Sequence, residues 1–177
     1  MQKRKGLAVP FLETTRLRLR ALTPLDAPAL FAVLGDAETM RYYPQPYSRA
    51  RVEESIARQI ERYPSGAGLL GMVSKQSGEL IGDCGLVWQD VEGVLEPEIG
   101  YHVHRSYWGQ GLATEAAHAV RDYAFTTLGC DHIISLIRPE NLPSRRVAEK
   151  NGLTLQRVVF WHGFDHCIYR SDKAVAP

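Results

Sequence analysis

The most regular pattern of polar and apolar residues lies near the start of the chain, where residues 15–22 alternate between the two classes. Successive side chains of a β-strand point to opposite faces, so the alternation places Leu17, Leu19 and Ala21 on one face. This segment is therefore predicted to be a strand with one buried face. The proline-containing residues 23–26 that follow are expected to end it.

Four further segments carry helix signals. In the third of them, Ala113, Ala117 and Val120 repeat at the spacing that forms one apolar stripe, and Gly129 is a typical helix terminator. Ser48 begins the second, because a serine hydroxyl can accept a hydrogen bond from the free amides of a first helical turn. The predicted helices cover residues 23 or 26 to about 34, 48–63, 111–128 and 144–151.

The remaining apolar segments are short enough to be strands. The predicted strands cover residues 69–75, 79–86, 98–104, 132–137, 155–161 and 166–169. Gln76-Ser-Gly78 is a hairpin turn signal between the first two of these. The resulting order is strand, two helices, three strands, helix, strand, helix, two strands. This order predicts an α/β (α+β) domain around a mixed sheet.

The size and composition of the chain are those of one globular domain. Its 177 residues are 45% hydrophobic and 23% charged, which favours a single domain over residues 1–177. We expect the core to occupy about residues 14–170, between short flexible termini. The formal net charge is +1, so we expect no large field that recruits nucleic acid or an anionic membrane.

The start of the chain is basic but does not have the pattern of a signal peptide. Only the short apolar run 7–9 precedes Pro10, and no apolar stretch approaches the roughly 20 residues that span a bilayer. We therefore expect a cytoplasmic protein. In a reducing compartment, the cysteines at 84, 130 and 167 are expected to act as small buried hydrophobic residues.

A glycine-rich loop separates the strand predicted at 98–104 from the helix predicted at 111–128. In Trp108-Gly-Gln-Gly-Leu-Ala-Thr114 the glycines leave the backbone open, and the first amides of a helix are free donors. The loop is a candidate anion site, although glycines also end strands and begin helices for structural reasons alone. Two other phosphate loops are excluded, because the chain has no Gly-Lys pair and Thr114 stands where a dinucleotide fingerprint needs glycine.

Three ordered motifs resemble those of the GNAT acetyltransferase superfamily. They are Glu98-Ile-Gly-Tyr, Tyr107-Trp-Gly-Gln-Gly-Leu-Ala-Thr-Glu-Ala116 and Asn141-Leu-Pro-Ser-Arg-Arg-Val-Ala-Glu-Lys-Asn-Gly-Leu153. Together with Thr15-Arg-Leu-Arg-Leu-Arg20, they make the chain similar to the branch of bacterial ribosomal-protein N-terminal (alanine/serine) acetyltransferases over residues 14–170. The resemblance implies a mixed, mostly antiparallel sheet with helices on both faces. Its fourth and fifth strands, here 98–104 and 132–137, would be parallel and splayed.

The resemblance also implies how acetyl-CoA, the cosubstrate of this family, is held between the splayed strands. Backbone amides of Tyr101, His102 and Val103 would hold the pantetheine and polarise the thioester, since an oriented N–H stabilises a developing oxyanion. Asn141 would reach the cofactor's amide arm or cap the following helix. Trp108 stands where the family pattern has Gln or Arg. The pyrophosphate would lie on Gly109, Gly111, Ala113 and Thr114. The other residues of the loop expected to bind the cofactor are Trp108, Gln110 and Leu112.

Proton transfer needs side chains of its own, because only a neutral amine attacks a thioester and the leaving thiolate takes up a proton. Glu98 is the first candidate for the base, and the alternative is a half-exposed strand residue paired with arginine. Many relatives use a tyrosine for the thiolate at the position of Ala148. Ser144 is therefore the candidate here, as in the ribosomal-protein branch, or it only caps its helix. His102 and His104 are expected on the same face as Glu98 unless a bulge intervenes. An imidazole pKa of about 6.5 suits proton acceptance, so each is an alternative base, or else a surface or core polar residue of the strand.

We expect no metal at this site. A zinc site would have to combine His102 and His104 with His162 or His166, and no carboxylate or cysteine stands at the usual ligand spacing.

The function that the resemblance implies is acyl transfer. An N-acetyltransferase of this kind moves acetyl from acetyl-CoA to a primary amine, on a protein N-terminus or a small molecule, by direct attack in a ternary complex. The alternative is a non-catalytic acyl-CoA-binding or regulatory module of the same fold. We expect the aromatic loop 42–47, with Trp161 and Phe164, to form the acceptor wall, and the protein to be a monomer or a homodimer.

Overall fold

The computed structural model describes residues 10–174. These residues form eight β-strands and four α-helices, with single 3-10 turns between some of them. The strands are β1 (Leu12–Glu13), β2 (Leu17–Arg20), β3 (Gly68–Ser74), β4 (Leu80–Val91), β5 (Val94–Val103), β6 (His132–Ile137), β7 (Thr154–Trp161) and β8 (Phe164–Asp172). The helices are α1 (Ala27–Leu34), α2 (Arg49–Arg62), α3 (Leu112–Thr126) and α4 (Leu142–Lys150).

The strands form one sheet in the order β1-β2-β3-β4-β5-β6-β8-β7. Neighbouring strands are antiparallel except for β5 and β6, which run parallel. Within the described chain, the ladder between β5 and β6 contains a single register pair, Glu98 with Ile134. The predicted mixed sheet with a splayed parallel pair is therefore confirmed. The pair is fifth and sixth rather than fourth and fifth, because the short β1 precedes the predicted first strand.

Helices cover both faces of the sheet, as predicted. One face packs against α3 and α4, and its buried residues include Leu70, Cys84, Ile99, Ala116 and Ala148. A second cluster on the other face joins α1 and α2 to the sheet, and it includes Leu22, Leu30, Val33, Met40 and Ile56. The alternation of side chains along β4 and β5 therefore decides which residues face which pair of helices.

The hairpin between β4 and β5 is longer than the sequence predicted. The sequence predicted strands at residues 79–86 and 98–104, with no strand between them. The structure continues both to a tight turn in which Glu92 and Gly93 have φ angles of 53° and 83°. Positive φ at both central positions matches the right-handed twist of a hairpin, and the Asp90 carboxylate accepts a hydrogen bond from the Gly93 amide at 2.8 Å.

Other sequence predictions differ from the structure in smaller ways. The strand predicted at residues 15–22 is shorter in the structure, where β2 covers Leu17–Arg20, so Ala21 lies outside it. The predicted turn at residues 76–78 is confirmed, and all three cysteines are buried as expected. The basic start of the chain and its expected flexible termini lie outside the described residues. Across residues 10–174, no helix combines the length and apolar character needed to span a membrane.

The hydroxyl group of Tyr63 joins three parts of the core. It accepts a hydrogen bond from the backbone amide of Leu22 at 2.9 Å and donates one to the carbonyl oxygen of Leu69 at 2.7 Å. The side chain is 3% exposed, so water cannot replace this group if it is removed. Tyr63 therefore connects the segment after β2, the end of α2 and the start of β3.

We expect Tyr63→Phe to lower the free energy of unfolding by about 1–3 kcal/mol, because two buried backbone groups lose their partner. Urea unfolding followed by circular dichroism measures the change. Tyr107→Phe is the matched control, since the Tyr107 hydroxyl bonds to Glu79 at an exposed site. An equal effect in both variants would contradict the role assigned to the buried hydroxyl.

Candidate active site

A cavity of about 410 Å³ lies at the carboxyl end of β5. It is formed by the end of β5, the glycine loop, the first turns of α3 and α4, and the segment before α2. Among the predicted site residues, those that line it include Tyr101, His102, Trp108, Gly111, Asn141 and Ser144. The structure therefore brings the three sequence motifs together around one cleft.

The glycine loop exposes free backbone amides to this cleft. Gly109 and Gly111 have φ angles of 74° and 77°, a backbone conformation that side chains other than glycine rarely adopt. Within the described chain, the amides of residues 109–114 donate to no other protein atom, and the first bond of the helix runs from Glu115 to the Gly111 carbonyl. These donors lie at the positive end of the α3 dipole. The arrangement suits a phosphate group.

A clamp of hydrogen bonds between Arg16, Glu115 and the loop holds the loop in this orientation, and no sequence motif predicted it. The Glu115 carboxylate accepts hydrogen bonds from the Thr14 hydroxyl at 2.6 Å, the Arg16 amide at 2.8 Å and the Arg16 guanidinium at 2.7 Å. Arg16 also donates to the carbonyl oxygen of Gln110 at 2.8 Å, on the loop itself. Partial burial opposes ionisation, but these hydrogen bonds outweigh it and lower the pKa of Glu115. Arg16 had been interpreted only as a polar position of an alternating strand.

The backbone of β5 presents alternate amides to the gap. The His104 amide donates to Ile81 on the β4 side at 2.9 Å, and the ladder between β4 and β5 runs without a register shift. By alternation, the His102 amide also faces β4, whereas the amides of Tyr101 and Val103 face the gap. The His102 backbone amide therefore points toward β4 and, contrary to the prediction from the sequence, cannot hold the pantetheine in the gap. His102 nevertheless lines the cavity.

Trp108 closes the end of this strand. Its indole N–H donates to the carbonyl oxygen of Val103 at 2.7 Å, and its ring is 42% exposed beside the loop. The guanidinium of Arg41 lies 5.5 Å from the centroid of the Trp108 ring. Trp108 stands where the family pattern has Gln or Arg, and its ring forms an aromatic wall next to the free amides.

Asn141 and Ser144 lie at the start of α4. The Asn141 side-chain oxygen accepts a hydrogen bond from the Ser144 amide at 3.2 Å, so Asn141 is the N-cap and Ser144 is not. The Ser144 hydroxyl lies 2.9 Å from the Tyr101 hydroxyl, which also donates to the Ser144 carbonyl oxygen at 2.9 Å. Burial raises the pKa of Tyr101. The helix position where many relatives have tyrosine is the buried Ala148, and a tyrosine from β5 supplies a hydroxyl nearby.

Glu98 lies on the opposite face of β5 from Tyr101. Its carboxylate accepts hydrogen bonds from the Gln89 side chain at 2.7 Å and from the Leu136 backbone amide at 3.3 Å, so its partners are amides rather than an arginine. Burial raises the pKa of Glu98 despite these bonds. Glu98 is not among the described residues that line the cavity.

His102 shares this face with Glu98, as predicted. Its Nδ1 lies 2.6 Å from the Asp83 carboxylate, and the ring of Tyr43 packs against it with centroids 5.2 Å apart. His104 lies beyond the strand, where its Nδ1 accepts from the Ser106 amide at 3.3 Å, and it is not among the residues lining the cavity.

The aromatic residues expected to form an acceptor wall are only partly gathered at the cavity. Tyr42 and Tyr43 line the cavity, whereas Trp161 packs against His162 and His166 with ring centroids 4.1 Å and 5.3 Å away. Among residues 10–174, no group of three histidine, cysteine or acidic side chains is close enough to hold a metal ion.

A mixed sheet with a splayed parallel pair, and a helix that directs free amides at the gap, defines an acyltransferase of the GNAT type. The acetyltransferase (GNAT) domain family matches residues 16–154, and the chain belongs to this family. Among curated relatives, it is 36% identical over 150 residues to uncharacterized protein YkkB of Bacillus subtilis (strain 168), covering 84% of this chain and 87% of that protein. Uncharacterized N-acetyltransferase p20 of Bacillus licheniformis is 32% identical over 149 residues, or 82% of each chain.

Solved structures share the fold. An acetyltransferase from Agrobacterium tumefaciens str. C58 superposes with a TM-score of 0.81 at 28% identity, over 98% of this chain and all of that one. RimL, a ribosomal L7/L12 alpha-N-protein acetyltransferase solved in complex with coenzyme A, superposes with a TM-score of 0.76 at 21% identity. The match covers 92% of this chain and 98% of that one. At that identity the likeness to RimL shows the fold alone.

The raised pKa of Glu98 predicts a pH-dependent effect of Glu98→Gln on stability. A folded-state pKa above the unfolded value means that ionisation of Glu98 weakens the native state as pH rises between the two values. The variant has no such group, so its stability relative to wild type should increase from about pH 4 upward. Urea unfolding across that range measures the difference, with Glu54→Gln on the exposed face of α2 as control. A difference independent of pH would contradict the raised pKa.

Proposed function

We propose that this acyltransferase is an N-acetyltransferase that moves acetyl from acetyl-CoA to a primary amine by direct attack in a ternary complex. The observation that carries the proposal is the row of amides at residues 109–114, which donate to no protein atom within the described chain. Five of these six residues line the cavity at the end of β5. The coenzyme A complex of RimL supports the same donor, because its fold superposes on this one.

The residues around the cleft fit the parts of such a donor. The amides of the loop and the first turn of α3 suit the pyrophosphate, because each is a donor at a helix N-terminus. Arg146 and Lys150 lie one turn apart on α4 and also line the cavity, so they add positive charge for phosphate groups. The Asn141 side chain caps α4 through its oxygen, which leaves its NH₂ group for an amide carbonyl of the donor.

The reacting end of the donor would lie in the gap itself. The amides of Tyr101 and Val103 face it and can donate to the thioester carbonyl oxygen as negative charge develops there. Ser144 and Tyr101 present two hydroxyl groups 2.9 Å apart on the α4 side, suited to the sulfur of the leaving thiolate. Glu98, the base expected from the sequence, can act there only through water or another side chain, since it does not line the cavity.

The acceptor would approach from the face of β5 that carries His102 and Glu98. Tyr42 and Tyr43 line the cavity and provide an aromatic wall there. Among the relatives of similar fold, RimL is named for a protein N-terminus, which supports a peptide α-amine as one class of acceptor. A small-molecule amine fits the same chemistry, because both present a primary amine to the thioester.

The direct test is release of coenzyme A. We expect the protein to release free thiol from acetyl-CoA when a suitable amine is present, measured with a thiol reagent across a panel of peptides and small amines. Mass spectrometry of the amine should show the acetyl group. Tight binding of coenzyme A with no turnover on any amine would instead support the non-catalytic module.

Gly111→Glu should abolish coenzyme A binding, measured by isothermal titration calorimetry, because the added carboxylate would lie beside the amides that suit the pyrophosphate. Gly78→Glu is the matched control, since Gly78 has a similar φ angle of 73° and lies in the exposed turn between β3 and β4. Both variants carry the same backbone strain and charge. If they bind coenzyme A equally well, the loop is not the phosphate site.

A further inference from the structure

A pair of buried polar side chains crosses from β4 to β5 beside the cleft. Asp83 and His102 are register partners in the antiparallel ladder, on the face that packs toward α1 and α2. Asp83 is 1% exposed, and the His102 side chain is 14% exposed. Buried polar groups are costly unless they are paired, so such a pair in a sheet interior calls for a physical reason.

The Asp83 carboxylate determines the state of the His102 ring. The distance of 2.6 Å to Nδ1 requires a proton between the two atoms, because a carboxylate can only accept. In the neutral ring the other nitrogen, Nε2, then carries the lone pair. Tyr43 packs against the same ring with centroids 5.2 Å apart, which further restricts its rotation.

The Nε2 atom has no partner within the described chain. It is buried, and it is one of two such side-chain atoms without a hydrogen bond among residues 10–174. A lone pair held in a fixed direction and left without a partner is an unsatisfied acceptor, on a residue that lines the cavity. His102 lines the cavity and Glu98 does not, so His102 is the basic side chain on this face that the cleft reaches.

We propose that His102 Nε2 accepts the proton of the acceptor's ammonium group, directly or through one water, and that Asp83 is the positioning residue that holds the ring in the required tautomer. The inference rests on the proposed N-acetyltransferase function. His102 is thus a catalytic residue through its side chain. The sequence offered this side chain only as an alternative to Glu98, and the geometry now favours His102.

In the proposed acetyl transfer, the ammonium gives one proton to His102. The neutral amine nitrogen then forms a bond to the thioester carbonyl carbon. The carbon–sulfur bond then breaks, and the thiolate takes the second proton of that nitrogen through the hydroxyls of Ser144 and Tyr101. The imidazolium returns its proton to solvent.

The two proton transfers lie on opposite faces of β5. Tyr101 and His102 are adjacent in sequence, so their side chains point to opposite faces of the strand. The Tyr101 hydroxyl meets Ser144 on the α4 side, and the His102 ring meets Asp83 on the other. The first proton of the ammonium and the proton that reaches the sulfur therefore pass through different side chains.

The electrostatic surroundings of His102 favour proton uptake. Burial by itself lowers the pKa of His102, but the charge of Asp83, their hydrogen bond and the charge of Glu98 outweigh it, so the pKa is raised. The groups facing the ring are Asp83 on β4, Glu98 on β5 and Tyr43 before α2. Glu98 thus supports the base through its charge and does not need to reach the amine.

The test is the pH dependence of kcat/KM, with the amine giving the fastest release of coenzyme A. We expect His102→Gln to lower kcat at neutral pH by about 10²-fold or more and to remove the acidic limb of the profile. Glu98→Gln should keep the limb and move it to lower pH, because the negative charge that raises the pKa of His102 is gone. His104→Gln, two residues along and outside the cavity, is the matched control and should leave the profile unchanged.

Asp83→Asn tests the positioning role. Loss of the carboxylate charge should lower kcat and shift the acidic limb to lower pH. Coenzyme A binding should stay unchanged in calorimetry, because Asp83 lies away from the loop. A lower kcat with an unmoved limb would mean that Asp83 only supports the fold, and would overturn its assigned role.

The outcomes separate this inference from the proposed function. Suppose that wild type releases coenzyme A and acetylates the amine. If His102→Gln does so equally well, the assignment of His102 fails and the proposed function stands. The same holds if the acidic limb of the pH profile is lost in Glu98→Gln and kept in His102→Gln. If wild type acetylates no amine, both fail. NMR titration of the His102 ring provides a readout independent of turnover, and a ring that titrates at the same pH in wild type and Asp83→Asn contradicts the pair.

Discussion

The structure depends on the point where two parallel strands stop bonding to each other. Beyond the register pair of Glu98 and Ile134, β5 and β6 separate, and each backbone group along the gap needs another partner. Side chains supply some of them, since the Glu98 carboxylate takes the Leu136 amide and the Ser135 hydroxyl donates to the Ile99 carbonyl oxygen. The amides that remain open further along β5 are those a substrate can use. The site is thus a consequence of incomplete pairing in the sheet.

The segment just before β2 also shapes the cleft, because it supplies Arg16. A loop with two glycines in the left-handed region has little intrinsic preference for one conformation, because glycine adopts many. The clamp of Arg16 and Glu115 fixes it by bonding the Gln110 carbonyl oxygen from behind. With its carbonyl oxygen held on that side, the loop presents its amides to the cavity. Preorganised donors of this kind need no rearrangement when charge develops.

The opposite faces of β5 give the cleft its chemical polarity. On one side the hydroxyls of Tyr101 and Ser144 are neutral donors, and burial raises the pKa of Tyr101 so that it keeps its proton. On the other side, against the effect of burial, the carboxyl groups of Asp83 and Glu98 stabilise a positive charge on the His102 ring and so raise its pKa. In the proposed reaction, the cationic amine and the anionic leaving group would lie on separate sides of this strand. The Asp83 and His102 pairing follows from the register of β4 and β5.

The sequence by itself determined the elements and the class of protein. Its periodicities located the four helices and most strands to within a few residues, and the three motifs identified the family and the loop, because both signals are local in the chain. Only the tertiary structure decided the contacts made across the sheet. Arg16 reaches Glu115 across 99 residues, and His102 meets Asp83 only because the longer hairpin sets their register. Such pairs depend on strand order and register, which no local spacing encodes.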